Sequence, residues 1–104
     1  MKIIDVTEKD FKEEVINSKT PVLIDFNADW CGPCRMLRPI LDEISEEVEN
    51  IKIVSINVDK NDNLAREYGV MSIPCLVFVK SGKEEKRSIG LISKDEVKRI
   101  IGVN

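Results

Sequence analysis

The chain has 104 residues, of which 42% are hydrophobic and 34% charged, and its formal net charge is −3. That length suits a single domain over residues 1–104 built on one hydrophobic core. The acidic balance leaves no basic footprint for nucleic acid, and no apolar run is long enough to span a bilayer. The first residues, Met1 to Glu8, lack the apolar core and cleavage site of a signal peptide, so a reducing, cytoplasmic setting is expected. Three cysteines are too few for a disulfide framework, and a pair in such a compartment is more often catalytic or metal-binding. The chain has no histidine, which removes the commonest metal ligand and the usual general base together.

In chain order, Lys2 to Val6 reads as a short first strand. Thr7 followed by Asp10 resembles a helix start, with Asp in the place of the usual Glu. Phe11 and Val15 then share one helical face, and Lys19-Thr20-Pro21 ends that helix. Val22 to Phe26 is nearly all apolar, which predicts a central strand covered on both faces. A helix follows from near Pro33 to about Val48, with Leu37, Leu41, Ile44 and Val48 at helical spacing and Pro39 inside it as a source of kinking. Ile51 to Val58 is the next strand, and Asn61 to Tyr68 a short helix closed by Gly69. Leu76 to Val79 and Lys83 to Ile89 flank the hairpin signal Ser81-Gly82, and the charged second arm suits an edge strand. Ser93 and Glu96 form a capping box for a last helix that buries Val97, Ile100 and Ile101 and ends at Gly102. The order predicts an α/β fold: a mixed sheet of about five strands flanked by four helices on both faces.

The chemistry concentrates at Trp30-Cys31-Gly32-Pro33-Cys34, where a strand gives way to a helix. Proline fits a first helical turn, so Cys31 is expected just ahead of the helix and Cys34 within its first turn. Unpaired N–H groups and the helix dipole there favour a thiolate, which is the nucleophilic form of sulfur. Cys31 is expected to be the more exposed attacking thiolate and Cys34 the buried resolving thiol. A permanent disulfide, or half of a zinc site, would use the same spacing, although only Cys75 remains as a further sulfur ligand. Asp25 stands among apolar strand residues, where burial would raise its pKa and fit it to exchange a proton with Cys34. The alternative for Asp25 is a solvated strand edge.

The segment from Asp25 to Cys34 resembles the active-site segment of the thioredoxin family. The likeness continues through Pro39 to Ile44, Asn57-Val58-Asp59, Ile73-Pro74 and Gly90, and so covers nearly the whole chain. The resemblance implies the thioredoxin fold and an enzyme that reduces protein disulfides, carrying two electrons from a thioredoxin reductase to client proteins. The family assigns the aspartate matching Asp25 the same proton-transfer role. It implies a cis bond before Pro74 and a substrate segment pairing with the backbone of Ile73. Trp30, Gly32, Pro33, Met71, Ile73, Gly90 and Leu91 would form the rim that substrates touch. No bound cofactor, no metal, no nucleic acid and no membrane partner are implied, and a monomer is expected. The Gly32-Pro33 pair resembles the reducing members; oxidases and isomerases often carry histidine there. Three positions depart from the pattern: Asn27 stands where tryptophan is common, Ser55 where a lysine often lies near the buried aspartate, and Cys75 where threonine is usual. Other readings are a specialised reductant of one partner, a non-catalytic binding module, and a metal or iron–sulfur scaffold on Cys31, Cys34 and Cys75.

Overall fold

A computed structural model describes residues 3–103. The elements run β1 (Ile3–Asp5), a π-helical turn (Lys12–Ile16), β2 (Val22–Asn27), α1 (Gly32–Glu47), β3 (Lys52–Asn57), α2 (Asp62–Glu67), β4 (Cys75–Lys80), β5 (Lys83–Ile89) and α3 (Lys94–Ile100). The five strands form one sheet in the order β1-β3-β2-β4-β5. β3 pairs in parallel with both β1 and β2, whereas β4 runs antiparallel to β2 and β5 antiparallel to β4. This is the mixed sheet that the element order predicts. Lys2, the expected start of the first strand, lies outside the described residues.

β2 is the middle strand, and every residue from Val22 to Phe26 is buried. Its side chains alternate between two cores, as the strand period of two requires. Val22, Ile24 and Phe26 point to one face, where they meet Phe11 and Val15 of the first helical segment and Leu64 of α2. Tyr68 closes this side, its ring centroid 5.7 Å from those of both Phe11 and Phe26. Leu23 points to the other face and joins Leu37, Leu41 and Ile44 of α1 with Val97 and Ile101 at α3. Each such side chain, fully buried, contributes about 1.5–3 kcal/mol of transfer free energy.

The element ends follow local chemistry. Thr7 N–H donates to Asp10 Oδ1 at 2.7 Å, so Asp10 does perform the carboxylate half of a capping box. The helix it introduces is a π-helical turn of five residues, shorter and wider than the ordinary helix expected. Ser93 and Glu96 make the full reciprocal capping box of α3. Lys94 and Lys98, at the start and middle of α3, pair with Glu47 of α1, Lys98 at 3.2 Å. Ser81 and Gly82 both take positive φ, 52° and 78°, which is the backbone that a tight two-residue hairpin needs. β5 is an edge strand with charged side chains, as its composition predicts.

Candidate active site

β2 delivers the chain to the N-terminus of α1, and the two cysteines sit at that junction. Cys31 is the N-cap, with an extended backbone at φ −91° and ψ 111°, and Cys34 lies in the first turn. The two sulfurs are joined as a disulfide with their Cα atoms 5.3 Å apart. Cys34 N–H donates to Cys31 Sγ at 3.2 Å, so a sulfur takes the place of the oxygen that usually caps a helix. Pro33 in the same turn has no N–H to leave unpaired.

The expected difference in exposure between the cysteines is corrected by the structure. Cys31 is 4% exposed and Cys34 5% exposed, so both are buried to the same degree. The cause is the packing of the pair, which sits on Ala28 with Val58 and Ile73 against it. What distinguishes the two is position on the helix, with Cys31 outside its first hydrogen-bonded turn and Cys34 inside.

The Ile73–Pro74 peptide bond is cis, as the resemblance implies. Pro74 accepts a hydrogen bond from Gly90 N–H at 2.8 Å, which ties the loop before α3 to the start of β4. Gly90 has φ +93° and open space where a side chain would begin. The conformation itself therefore calls for glycine. Ile73 is half-buried against the disulfide, while Trp30, Met71, Pro33 and Leu91 are exposed and Gly32 half-exposed. Met71 and Leu91 join the site only through their chain neighbourhood with Ile73 and Gly90. Trp30 is held by its Nε1–H, which donates to Asp59 Oδ2 at 2.7 Å. Asp59 lies in the Asn57-Val58-Asp59 stretch of the likeness, and no local signal in the sequence points to this role.

Asp25 lies on the same face of β2 as Leu23, beneath α1, and is 2% exposed. The solvated-edge alternative is therefore excluded. Burial pushes its pKa from 3.8 up to about 7, while the Arg38 charge and the Asn27 side chain pull it back. Its Oδ1 is buried and has no hydrogen-bond partner. Asn27 Nδ2 is committed elsewhere, donating at 2.8 Å to Asp25 O and to Ser55 Oγ. Beside this row opens a cleft of about 600 Å³, lined in part by Asn27, Ser55, Arg38 and Asn57. The short Asn27 and Ser55 side chains, at two of the three departures from the family pattern, line this space. Arg38 went unnoticed in the sequence. Its place four residues after Cys34, on the same side of a helix, was the available signal.

Cys75, 1% exposed, packs as a small side chain in the core with Phe26, Val77 and Leu64, a cluster that contains neither Cys31 nor Cys34. Among the described residues no three His, Cys, Asp or Glu side chains are grouped so as to hold a metal ion, which leaves the metal-scaffold reading without a site. No helix of the described residues is long and apolar enough to cross a membrane.

Comparison with known proteins agrees with this geometry. The Thioredoxin family model matches residues 2–102. The chain is 52% identical to thioredoxin of Pyropia yezoensis, over 90% of this chain and 89% of that protein. It is 47% identical to thioredoxin of Rickettsia felis, over 89% and 90% of the two chains, and 47% identical to thioredoxin of Synechocystis, over 86% and 84%. With a joined Cys31–Cys34 pair capping a helix, a cis bond before Pro74 and a sheet of this order, the chain belongs to the thioredoxin family of thiol–disulfide oxidoreductases.

Proposed function

We propose that this chain is a cytoplasmic electron carrier that reduces disulfides of client proteins and is itself re-reduced by a thioredoxin reductase. In this reading it acts as a monomer and as one domain over residues 1–104. The observation that carries it is the disulfide at the N-terminus of α1, with Cys34 N–H pointing at Cys31 Sγ. That N–H and the helix dipole lower the cost of negative charge on Cys31 sulfur, so Cys31 is the attacking thiolate of the reduced form.

The reaction runs in two exchanges. Cys31 thiolate attacks one sulfur of the client disulfide; that bond breaks, a mixed disulfide forms, and the other client sulfur leaves as a thiolate and takes a proton. Cys34 then gives its proton to the Asp25 carboxylate and attacks Cys31 Sγ. The second client thiolate departs, and the Cys31–Cys34 disulfide is restored. Two electrons and two protons from the reductase return the chain to its dithiol form. Asp25 suits the proton step because its pKa of about 7 keeps both protonation states populated near neutral pH. Trp30, Gly32, Pro33, Met71, Ile73, Pro74, Gly90 and Leu91 form the client surface, where the exposed Trp30 and Met71 supply apolar contact. The backbone of Ile73 pairs with an extended client segment.

The test is reduction of a disulfide-containing reporter protein with a nicotinamide-dependent or a ferredoxin-dependent reductase as donor. Turnover with at least one donor, lost in Cys31→Ser, is expected. Binding of clients without reduction would favour the non-catalytic module instead.

A further inference from the structure

The cleft beside Asp25 is not used by the exchange chemistry described above, and its polar lining is unusual for the interior side of a sheet. Asp5, Ser55 and Asp25 are register partners across β1, β3 and β2, so their side chains form one row beneath α1. Ser55 is neutral and its hydroxyl already accepts from Asn27. Leu76, the partner of Asp25 on β4, is apolar. The row is therefore closed on the strand side without any cation. From above, α1 supplies one: Arg38, four residues after Cys34 and on the same side of the helix, lines the cleft together with Asn27 and Ser55. The only ion pair found for Arg38 among the described residues is a long one, Nε to Asp42 Oδ1 at 3.5 Å, and its side chain is 40% exposed. Asp25 Oδ1, meanwhile, is buried with no partner.

We infer that Arg38 is a positioning residue for the reaction: from α1, above the Asn27 and Ser55 side chains that flank Asp25, its positive charge favours the ionised carboxylate that accepts the Cys34 proton, and so sets the pH range in which the resolving step runs. This rests on the proton-carrier role given to Asp25. The other charged groups around the cleft are Asp5, Glu8 and Asp29, and Lys9 and Lys60, which lie on loops at the rim. Cys75 on β4 also feels the Asp25 charge, from the opposite side of the sheet. Among the described residues Arg38 is the cation that bears on the Asp25 carboxyl, in the direction that favours its charged form.

The experiment is an NMR titration of the Asp25 carboxyl carbon in the oxidised protein, with pH–turnover profiles measured in parallel. Arg38→Gln is expected to raise the Asp25 midpoint by roughly 0.5–1 pH unit and to carry the alkaline shift of the turnover profile with it. Arg38→Lys keeps the charge and should restore both. In wild type, raising salt from about 20 mM to about 1 M should move the midpoint towards that of Arg38→Gln, and this arm decides if the variant does not fold. An unchanged midpoint in Arg38→Gln, or in high salt, overturns the inference. So does a turnover change by Arg38→Gln that persists in an Asp25→Asn background. If the midpoint shifts but Asp25→Asn turns over like wild type, the proton-carrier role fails and the kinetic half of the inference falls with it, while the charge coupling stands.

Discussion

The two faces of the central strand are built from the same alternation, yet they bury different things. Towards the π-helical turn and α2, β2 presents Val22, Ile24 and Phe26 to an apolar core that includes Cys75. Towards α1 and α3 it presents Leu23 to an equally apolar core, and then Asp25 at the end nearer the cysteines. Three cysteines are all 5% exposed or less, so burial alone does not mark the reactive ones. What separates Cys31 and Cys34 from Cys75 is the helix terminus at which they sit. Burial raises the Cys75 thiol pKa and keeps it in the unreactive protonated form.

The largest effect expected from breaking this contrast is at the cysteines themselves. Cys31→Ser should abolish disulfide reduction, and Cys34→Ser should accumulate a mixed disulfide on Cys31, visible by mass spectrometry of non-reduced protein. Trapping of clients through Cys34 in the Cys31→Ser protein would reverse the assignment.

Asp25→Asn asks whether the polar end of its face is held there at a cost in stability. The folded pKa, about 7, lies above the ordinary 3.8, so folded protein binds the proton more tightly than unfolded protein does. Wild type therefore loses stability as pH rises from about 4 to about 7, and the full loss is present above that. Three units at about 1.36 kcal/mol each give roughly 4 kcal/mol. Asp25→Asn should be more stable by up to that amount at pH 8 and little changed at pH 4, in chemical denaturation at the two pH values. Its resolving step should slow by about a hundredfold. Equal midpoints at pH 8 would contradict the buried carboxyl.

Ile24→Ala opens a cavity in the face that carries no chemistry. It should cost about 2–5 kcal/mol with no dependence on pH, while turnover of the folded fraction stays as in wild type. A pH-dependent loss would mean that the two faces are coupled through β2.

The smallest effect is expected at Cys75. Cys75→Thr should reduce disulfides like wild type and lose about 1 kcal/mol, since a hydroxyl enters an apolar cluster. In the wild-type oxidised protein one thiol should alkylate slowly. A disulfide from Cys75 to Cys31 or Cys34, or inactivity of Cys75→Thr, would remove the distinction between the faces.

Much of this was legible before the fold was known, because the signals are local. Helical spacing in Leu37, Leu41 and Ile44, the Ser93–Glu96 box and the Ser81-Gly82 turn act over four residues or fewer, and each appears where expected. The placement of Cys31 and Cys34 at a helix start is local in the same sense, since proline and the N-cap geometry decide it. The apolar run from Val22 to Phe26 also determined that β2 is covered on both sides, whereas the burial of Asp25, left open by the sequence, was decided by the packing of the fold. The rest depends on what long-range pairing brings alongside. The equal burial of the two cysteines comes from Val58 and Ile73, each more than twenty residues away in the chain. Cys75 is next to Pro74 in sequence, but the pleat sends its side chain into the core of the π-helical turn and α2. The cleft, and Arg38 over Asp25, exist because parallel pairing sets Ser55 beside Asp25 while α1 crosses above them. A local pattern says which way a side chain leaves the backbone, and only the packed sheet and helices say what charge or space it meets there.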